Sequence, residues 1–254
     1  MPKDSEVLEC YETLLAEGKI QENKILKTSL ITRKVRSESG VTPFAVMTKP
    51  YPCPGQCTYC PLEVGMPKSY LSDEPAAARA KSFGFDPARQ ISSRLKQLEI
   101  TGHPTDKIEI IVIGGTFGSY PEEYKREFFL AMINTINDQV SDSLIQAQEL
   151  NESSPRRIVG MSIETRPDWI DEAEVKLMRE LGVTKVQLGV QALDDEIMEH
   201  IKRGHTLRDV ATATQLLKDA GVKVCYHFMP NLPGSTPEHD LEMARTMYED
   251  KRFK

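Results

Sequence analysis

The stretch KIEIIVIGGT, residues 107–116, is the one whose reading decides the fold. Five of its first seven residues are Ile or Val, a β-branched run too short for a buried helix and suited to a strand. The glycine pair that follows permits a sharp turn with no side chain in the way. Helical sequence lies on both sides: the 74–100 region divides into two helical stretches around Phe83 to Pro87, and PEEYKREFFLAMINTIN at 121–137 is opened by Pro121. A strand between two helices is the unit of a parallel sheet.

The same alternation extends outward. FAVMTKP (44–50), RRIVGMSIE (156–164), KVQLGVQ (185–191) and KVCYHFMP (223–230) read as further strands. Residues 5–30 read as one helix with an irregular end, 168–182 as a helix capped by Asp168 and ended by Gly182, and 207–221 and 237–249 as helices. The polar segment 137–156 reads as an inserted helix and loop. The pattern predicts an α/β fold of five parallel strands buried on both faces, arranged as an open doubly wound sheet or a barrel. A sixth strand would ordinarily follow the last helix. Its absence suggests either an open edge at the fifth strand or the front portion of a longer chain.

Composition sets limits. The 254 residues are 39% hydrophobic and 28% charged, enough for a substantial core. No apolar run approaches the roughly 20 residues that span a bilayer, and the charged N-terminus shows no signal peptide, so a cytosolic protein with reduced thiols is expected. Net charge is −6, which argues against a basic nucleic-acid coat. Between Lys19 and Arg36, however, six basic residues (Lys19, Lys24, Lys27, Arg33, Lys34, Arg36) face one acid, Glu22, a local balance of +5. That strip reads either as a phosphate-binding face or as a solvated helix and tail.

In a parallel βα fold, working residues follow the C-terminal ends of the strands. These positions hold Cys53, Cys57 and Cys60 in KPYPCPGQCTYCP (49–61), then Gly114, Gly115 and Thr116, then Glu164, then Gln191, then His227 through Gly234. A structural zinc site wants four ligands, and no histidine stands near the cysteine loop. Three thiolates leave one iron of a 4Fe–4S cluster open, and C-x-x-x-C-x-x-C after a first strand is the arrangement of radical S-adenosylmethionine (SAM) enzymes. The glycine pair suits the amine of SAM and Glu164 its ribose hydroxyls. The plainer readings are a strand-to-helix turn, a helix-start carboxylate or partner for Arg166, a satisfied buried His227, and a Gln191 bonded to backbone. Cys10 and Cys225 read as packing residues.

The runs VTPFAVMTKPYPCPGQCTYCP, DKIEIIVIGGTF, GMSIETRPDWI, KVQLGVQALDD, KRGHT and HFMPNLPG, in this order, closely resemble the bacterial and archaeal form of the catalytic subunit of Elongator, a family of tRNA carboxymethyluridine synthases. The resemblance runs from about residue 24 to the C-terminus. It implies a radical SAM-type partial (β/α) barrel at 41–254, preceded by a tRNA-contacting segment at 1–40. The family's zinc-binding linker, C-terminal acetyltransferase domain and last barrel strand are missing from these residues. It also implies an acetyl-CoA-dependent modification of the wobble uridine. A cluster on Cys53, Cys57 and Cys60 cleaves SAM, the deoxyadenosyl radical takes hydrogen from the acetyl methyl, and the carbon adds to C5 of uridine.

Their places after the strands make Gly114, Gly115, Thr116, Glu164, Gln191 and His227 the candidates to hold SAM; by the resemblance, Lys107 contacts acetyl-CoA, and Lys24, Lys27, Arg33, Lys34 and Arg36 contact the tRNA, whose anticodon loop is the substrate. The electron donor stays unidentified. A homodimer and an Elongator-like assembly are both open. A methylthiotransferase or coproporphyrinogen oxidase relative would share the cysteine loop but lack ETRPD, RGHT and MPNLPG together. A non-catalytic tRNA-binding scaffold is opposed by the intact cysteine triad.

Overall fold

A computed structural model describes residues 4–31 and 34–253; Arg33 lies outside the described residues, as do the side chains of Lys34 and Arg36. Five strands, β1 (Thr42–Met47), β2 (Lys107–Ile113), β3 (Arg157–Thr165), β4 (Lys185–Gln191) and β5 (Lys223–Phe228), form one sheet. All neighbours are parallel and the spatial order is the chain order. A doubly wound sheet reverses direction at a switch point. This one does not, so it is a partial barrel.

The crossovers are helical. α3 (Pro75–Ser82) and α4 (Pro87–Ile100) follow β1, α5 (Glu122–Asn137) and α6 (Leu144–Glu152) follow β2, and α7 (Glu172–Glu180) follows β3. Then come α8 (Asp195–His200) and α9 (Leu207–Asp219), with α10 (Pro237–Glu249) after β5. Ahead of the sheet, the stretch expected to be one helix is two, α1 (Asp4–Ala16) and α2 (Lys24–Leu30). Gly18, at φ +68°, turns the chain out of α1, and Asn23 caps α2 by accepting from the Leu26 N–H. Leu8 and Tyr11 of α1 are buried.

Local chemistry explains most boundaries, with one correction. The N-cap of α7 is Asp171, which accepts from the Glu174 N–H; Asp168 stands in a 3-10 turn, Pro167–Trp169, and caps nothing. Gly182, at φ +83°, does close the C-terminal end of α7. α9 opens with a capping box in which Thr206 and Asp209 satisfy each other's backbone N–H groups.

The expectation of strands buried on both faces is also corrected. Ile108, Ile110 and Val112 of β2 join Ile163, Val186 and Leu188 in one core with Ile91 and Leu95 of α4 and Phe128, Phe129 and Met132 of α5. The alternate positions carry polar groups that satisfy one another across strands. Glu109 pairs with Lys185 at 2.6 Å, Gln187 donates to Ser162 Oγ at 3.1 Å, and the His227 ring lies 2.9 Å from Gln187 Oε1. The barrel interior is thus polar, as a site requires and a packed core does not.

The outer edge of β1 is closed by a side chain. Gln90 of α4, 1% exposed, accepts from Met47 N–H and donates to Met47 C=O, both at 2.9 Å, in place of a neighbouring strand. Replacing Gln90 with Leu orphans both backbone groups at about 1–3 kcal/mol each. The expected outcome is a clear fall in the urea midpoint at unchanged slope, measured by circular dichroism.

Candidate functional site

Parallel register carries every strand's C-terminal end to the same rim, where a cavity of about 460 Å³ opens. Cys53, Cys57 and Cys60 line it together with Gly114, Gly115, Thr116, Glu164, Gln191 and His227, so the chain gathers all nine residues expected there. Lys107 is not among them. It begins β2, exposed, at the opposite end of the sheet from Gly114, because a strand separates its two ends by its whole length.

The glycine pair is required by geometry. Gly114 has φ +138°, and a Cβ there would fall 1.9 Å from Thr48 Oγ1, a hydroxyl already bonded to Tyr120 at 2.9 Å. Gly115 has φ +90° and a Cβ on it would press on the Lys68 carbonyl. Backbone at both positions is therefore open to a ligand. Thr116 Oγ1 lies 3.5 Å from Cys53 Sγ.

The cysteine loop is held from below by the connection after α8. Thr58 N–H donates to the Ile201 carbonyl at 3.0 Å, and Arg203 Nη1 donates to Cys57 Sγ at 3.4 Å. Cys60 Sγ lies 3.0 Å from Ser69 Oγ, and Lys68 Nζ donates to the Gly55 carbonyl. Arg166 forks onto Asp168 at 2.9 and 2.7 Å, so the partner considered for Glu164 belongs to Asp168. Its guanidinium lies between two glycines: a Cβ on Gly55 would come 2.3 Å from Nη1, and one on Gly204 would come 3.3 Å from Nη2.

Glu164 accepts a 2.5 Å bond from Tyr70. Burial first, and then the Glu164 charge, push the Tyr70 hydroxyl far above its usual range and keep it a donor. Gln191 adopts φ +73° at a register shift in the β4–β5 pairing, a conformation rare outside glycine, and this turns its side chain to the cavity. His205, behind the cysteine loop, is held neutral by burial and then by Arg203, with its pKa pushed down to about 4.

The residues fit a cluster and its ligand. Three thiols face one cavity. No group of three or more His, Cys, Asp or Glu side chains among the described residues converges on a point as a single ion needs. A cubane, which takes one thiolate per iron, has no such demand. Tyr59 Oη, Arg166 Nη1, Gln191 Oε1 and Arg203 Nε line this cavity, buried and without hydrogen-bond partners in the protein. Polar groups of this kind are what a polar ligand would satisfy.

The sequence pattern of the radical SAM superfamily matches residues 51–247. The chain belongs to that superfamily. It is 49% identical over 218 residues to the tRNA uridine(34) acetyltransferase of Dehalococcoides mccartyi, covering 86% of this chain and 48% of that protein. It is 46% identical over 259 residues to the enzyme of that name from Methanocaldococcus jannaschii, covering 100% of this chain and 47% of that one. The solved structure of archaeal Methanocaldococcus infernus Elp3 with an N-terminal deletion superposes with a TM-score of 0.71 at 41% identity, over 84% of this chain and 43% of that one. The chain spans about half the length of the curated relatives it matches. Like other radical SAM proteins it calls for a 4Fe–4S cluster and SAM. No helix among the described residues is long and apolar enough to cross a membrane.

Sequence reading missed Arg166, Arg203, Tyr59 and Tyr70 as site residues. The ETRPD and RGHT runs did carry the signal, since an arginine beside glycine or two residues from aspartate suggests a held guanidinium. Cys10 and Cys225, expected to pack, are exposed.

Gly114→Ala forces either Thr48 or the β2 end to move, so the expected result is a lower melting temperature and loss of SAM binding by equilibrium dialysis. Unfolded, the His205 imidazole takes a proton near pH 6.5, and folded only near pH 4. Its neutral state therefore leaves stability unaffected above pH 6.5, and stability falls as pH drops between those values. The loss is about 3 kcal/mol at 1.36 kcal/mol per unit. Urea midpoints at pH 7 and 4.5 should differ less in His205→Gln than in the wild type.

Proposed function

We propose that this chain is the radical SAM portion of a tRNA wobble-uridine 5-carboxymethyl synthase, a tRNA uridine(34) acetyltransferase-type enzyme using SAM and acetyl-CoA. The observation that carries the reading is the convergence of three thiols, a bare glycine ledge and four orphaned polar groups on one cavity. The relatives at 46–49% identity supply the substrate class.

When bound, a reduced 4Fe–4S cluster supplies the electron that cleaves a carbon–sulfur bond of SAM. Cys53, Cys57 and Cys60 would hold it and leave one iron to the amine and carboxylate of SAM. The Gly114–Gly115 backbone admits the methionyl end. Glu164, already fixed by Tyr70, accepts from ribose hydroxyls, and Gln191 and His227 offer acceptor and ring edge to the nucleoside. The walls exclude water and hold the reacting groups in one orientation.

The tRNA backbone would meet residues 1–40. Lys24 is exposed, while Lys27 is tied to Glu12 at 2.7 Å and Lys19 to Glu17 at 2.9 Å, so the strip is less positive than its composition. The wobble base must leave its stack to reach the cavity. Acetyl-CoA is proposed as co-substrate, with Lys107 contacting it only if the donor lies along the opposite end of the sheet. A cytoplasmic location follows from a tRNA substrate.

The test is anaerobic reconstitution with iron and sulfide, reduction, and electron paramagnetic resonance with and without SAM. A cluster signal that changes on adding SAM and vanishes in Cys53→Ala, Cys57→Ala and Cys60→Ala is expected. A folded protein with no cluster, or one indifferent to SAM, leaves a non-catalytic tRNA-binding role. In that case filter binding would still show affinity that falls steeply with salt.

A further inference from the structure

We propose that Arg203 sets the redox poise of the site, its fixed positive charge raising the reduction potential of a cluster bound by Cys53, Cys57 and Cys60. The inference rests on the cluster reading above and goes beyond it to a residue that supplies no ligand to the cluster iron.

Arg203 is 8% exposed, so its charge is largely removed from water. Nη1 donates to Cys57 Sγ at 3.4 Å, Nη2 donates to the Gly189 carbonyl at 2.5 Å, and Nε has no partner. Among the described residues no carboxylate pairs with it. The contrast is Arg166, equally buried beside the same loop, whose charge is matched by Asp168 at 2.7 Å.

A buried guanidinium without a counter-ion is costly unless an anion stands nearby. The negative charge available to Arg203 is the thiolate set itself. One-electron reduction adds a further negative charge to a cluster and moves no proton. A fixed cation in a low-dielectric wall favours the more negative state, and an N–H bond to a ligating sulfur acts in the same direction. Arg203 therefore makes the reduced state easier to reach from a low-potential one-electron donor.

The plain alternative is that Arg203 is only a strut joining the turn after α8 to β4. Redox titration of the reconstituted protein with dithionite, followed by electron paramagnetic resonance and by iron and sulfide content, separates the two. In Arg203→Gln or Arg203→Met, whichever loads, the oxidised-to-reduced equilibrium should shift at least tenfold toward the oxidised form, a midpoint about 59 mV lower for one electron. Arg203→Lys, which keeps the charge, should stay near the wild type.

Equal midpoints in the wild type and a loaded neutral variant would overturn the proposal, as would an equal shift in Arg203→Lys. Loss of loading in all three variants, the lysine included, would show a scaffold role and overturn it too. Failure of the wild type to take up any cluster would overturn the cluster reading itself.

Discussion

Thr48, one residue past β1, donates its N–H to the Ile113 carbonyl at 3.0 Å and fills with its hydroxyl the space a side chain at residue 114 would need. This close approach of two strand ends sets where the cysteine loop leaves the sheet. Parallel pairing then does the rest. Once β1 and β2 are in register, β3, β4 and β5 follow in chain order, and every loop after a strand opens on the same rim. The residues that line the cavity come from positions more than 170 apart in the chain, and only this pairing brings Tyr51 and His227 to one cavity.

The loop is held at two further points, and both bring charge. Thr58 is tied to Ile201 just before Arg203, so anchoring the loop to the turn after α8 also delivers a guanidinium to Cys57. Gly55 and Gly204 leave room for a second guanidinium, Arg166, which Asp168 neutralises. The thiols thus stand beside one guanidinium, Arg203, with no carboxylate partner among the described residues, and beside a polar interior in which Glu109 and Lys185, Ser162 and Gln187, and Gln187 and His227 satisfy one another. A barrel filled with apolar side chains would be more cohesive, but it would have no room for a polar ligand. The polar inner positions keep the cavity open, and the apolar outer positions under α4 and α5 hold the sheet together.

Much of this was legible in the chain. KIEIIVI and KVQLGVQ mark their strands to the residue, and the helix pair around Phe83–Pro87 divides as its Gly and Pro positions require. The misreadings have physical causes. Asp168 stands at a helix-opening position, but the nearby Arg166 takes its carboxylate and Asp171 takes over the cap. The N-terminal helix breaks at Gly18 because glycine there adopts a left-handed conformation that local pattern leaves optional. The strand interior was read as apolar because Ile and Val dominate by count, although the alternate positions hold Glu109, Ser162, Glu164, Lys185 and Gln187.

By itself the sequence determined the alternation of strands and helices, the three-thiol loop after the first strand, the glycine pair after the second and the family to which the motifs belong. These are local properties: β-branched runs, turn residues and ligand spacing act over a few neighbours. The tertiary structure alone decided that the sheet is singly wound, that Lys107 and Gly114 stand at opposite ends of it, and that Arg203 and Arg166 lie beneath the thiols. Those facts depend on strand register and on a turn some 145 residues downstream of the loop it supports, packing relations that no local pattern specifies.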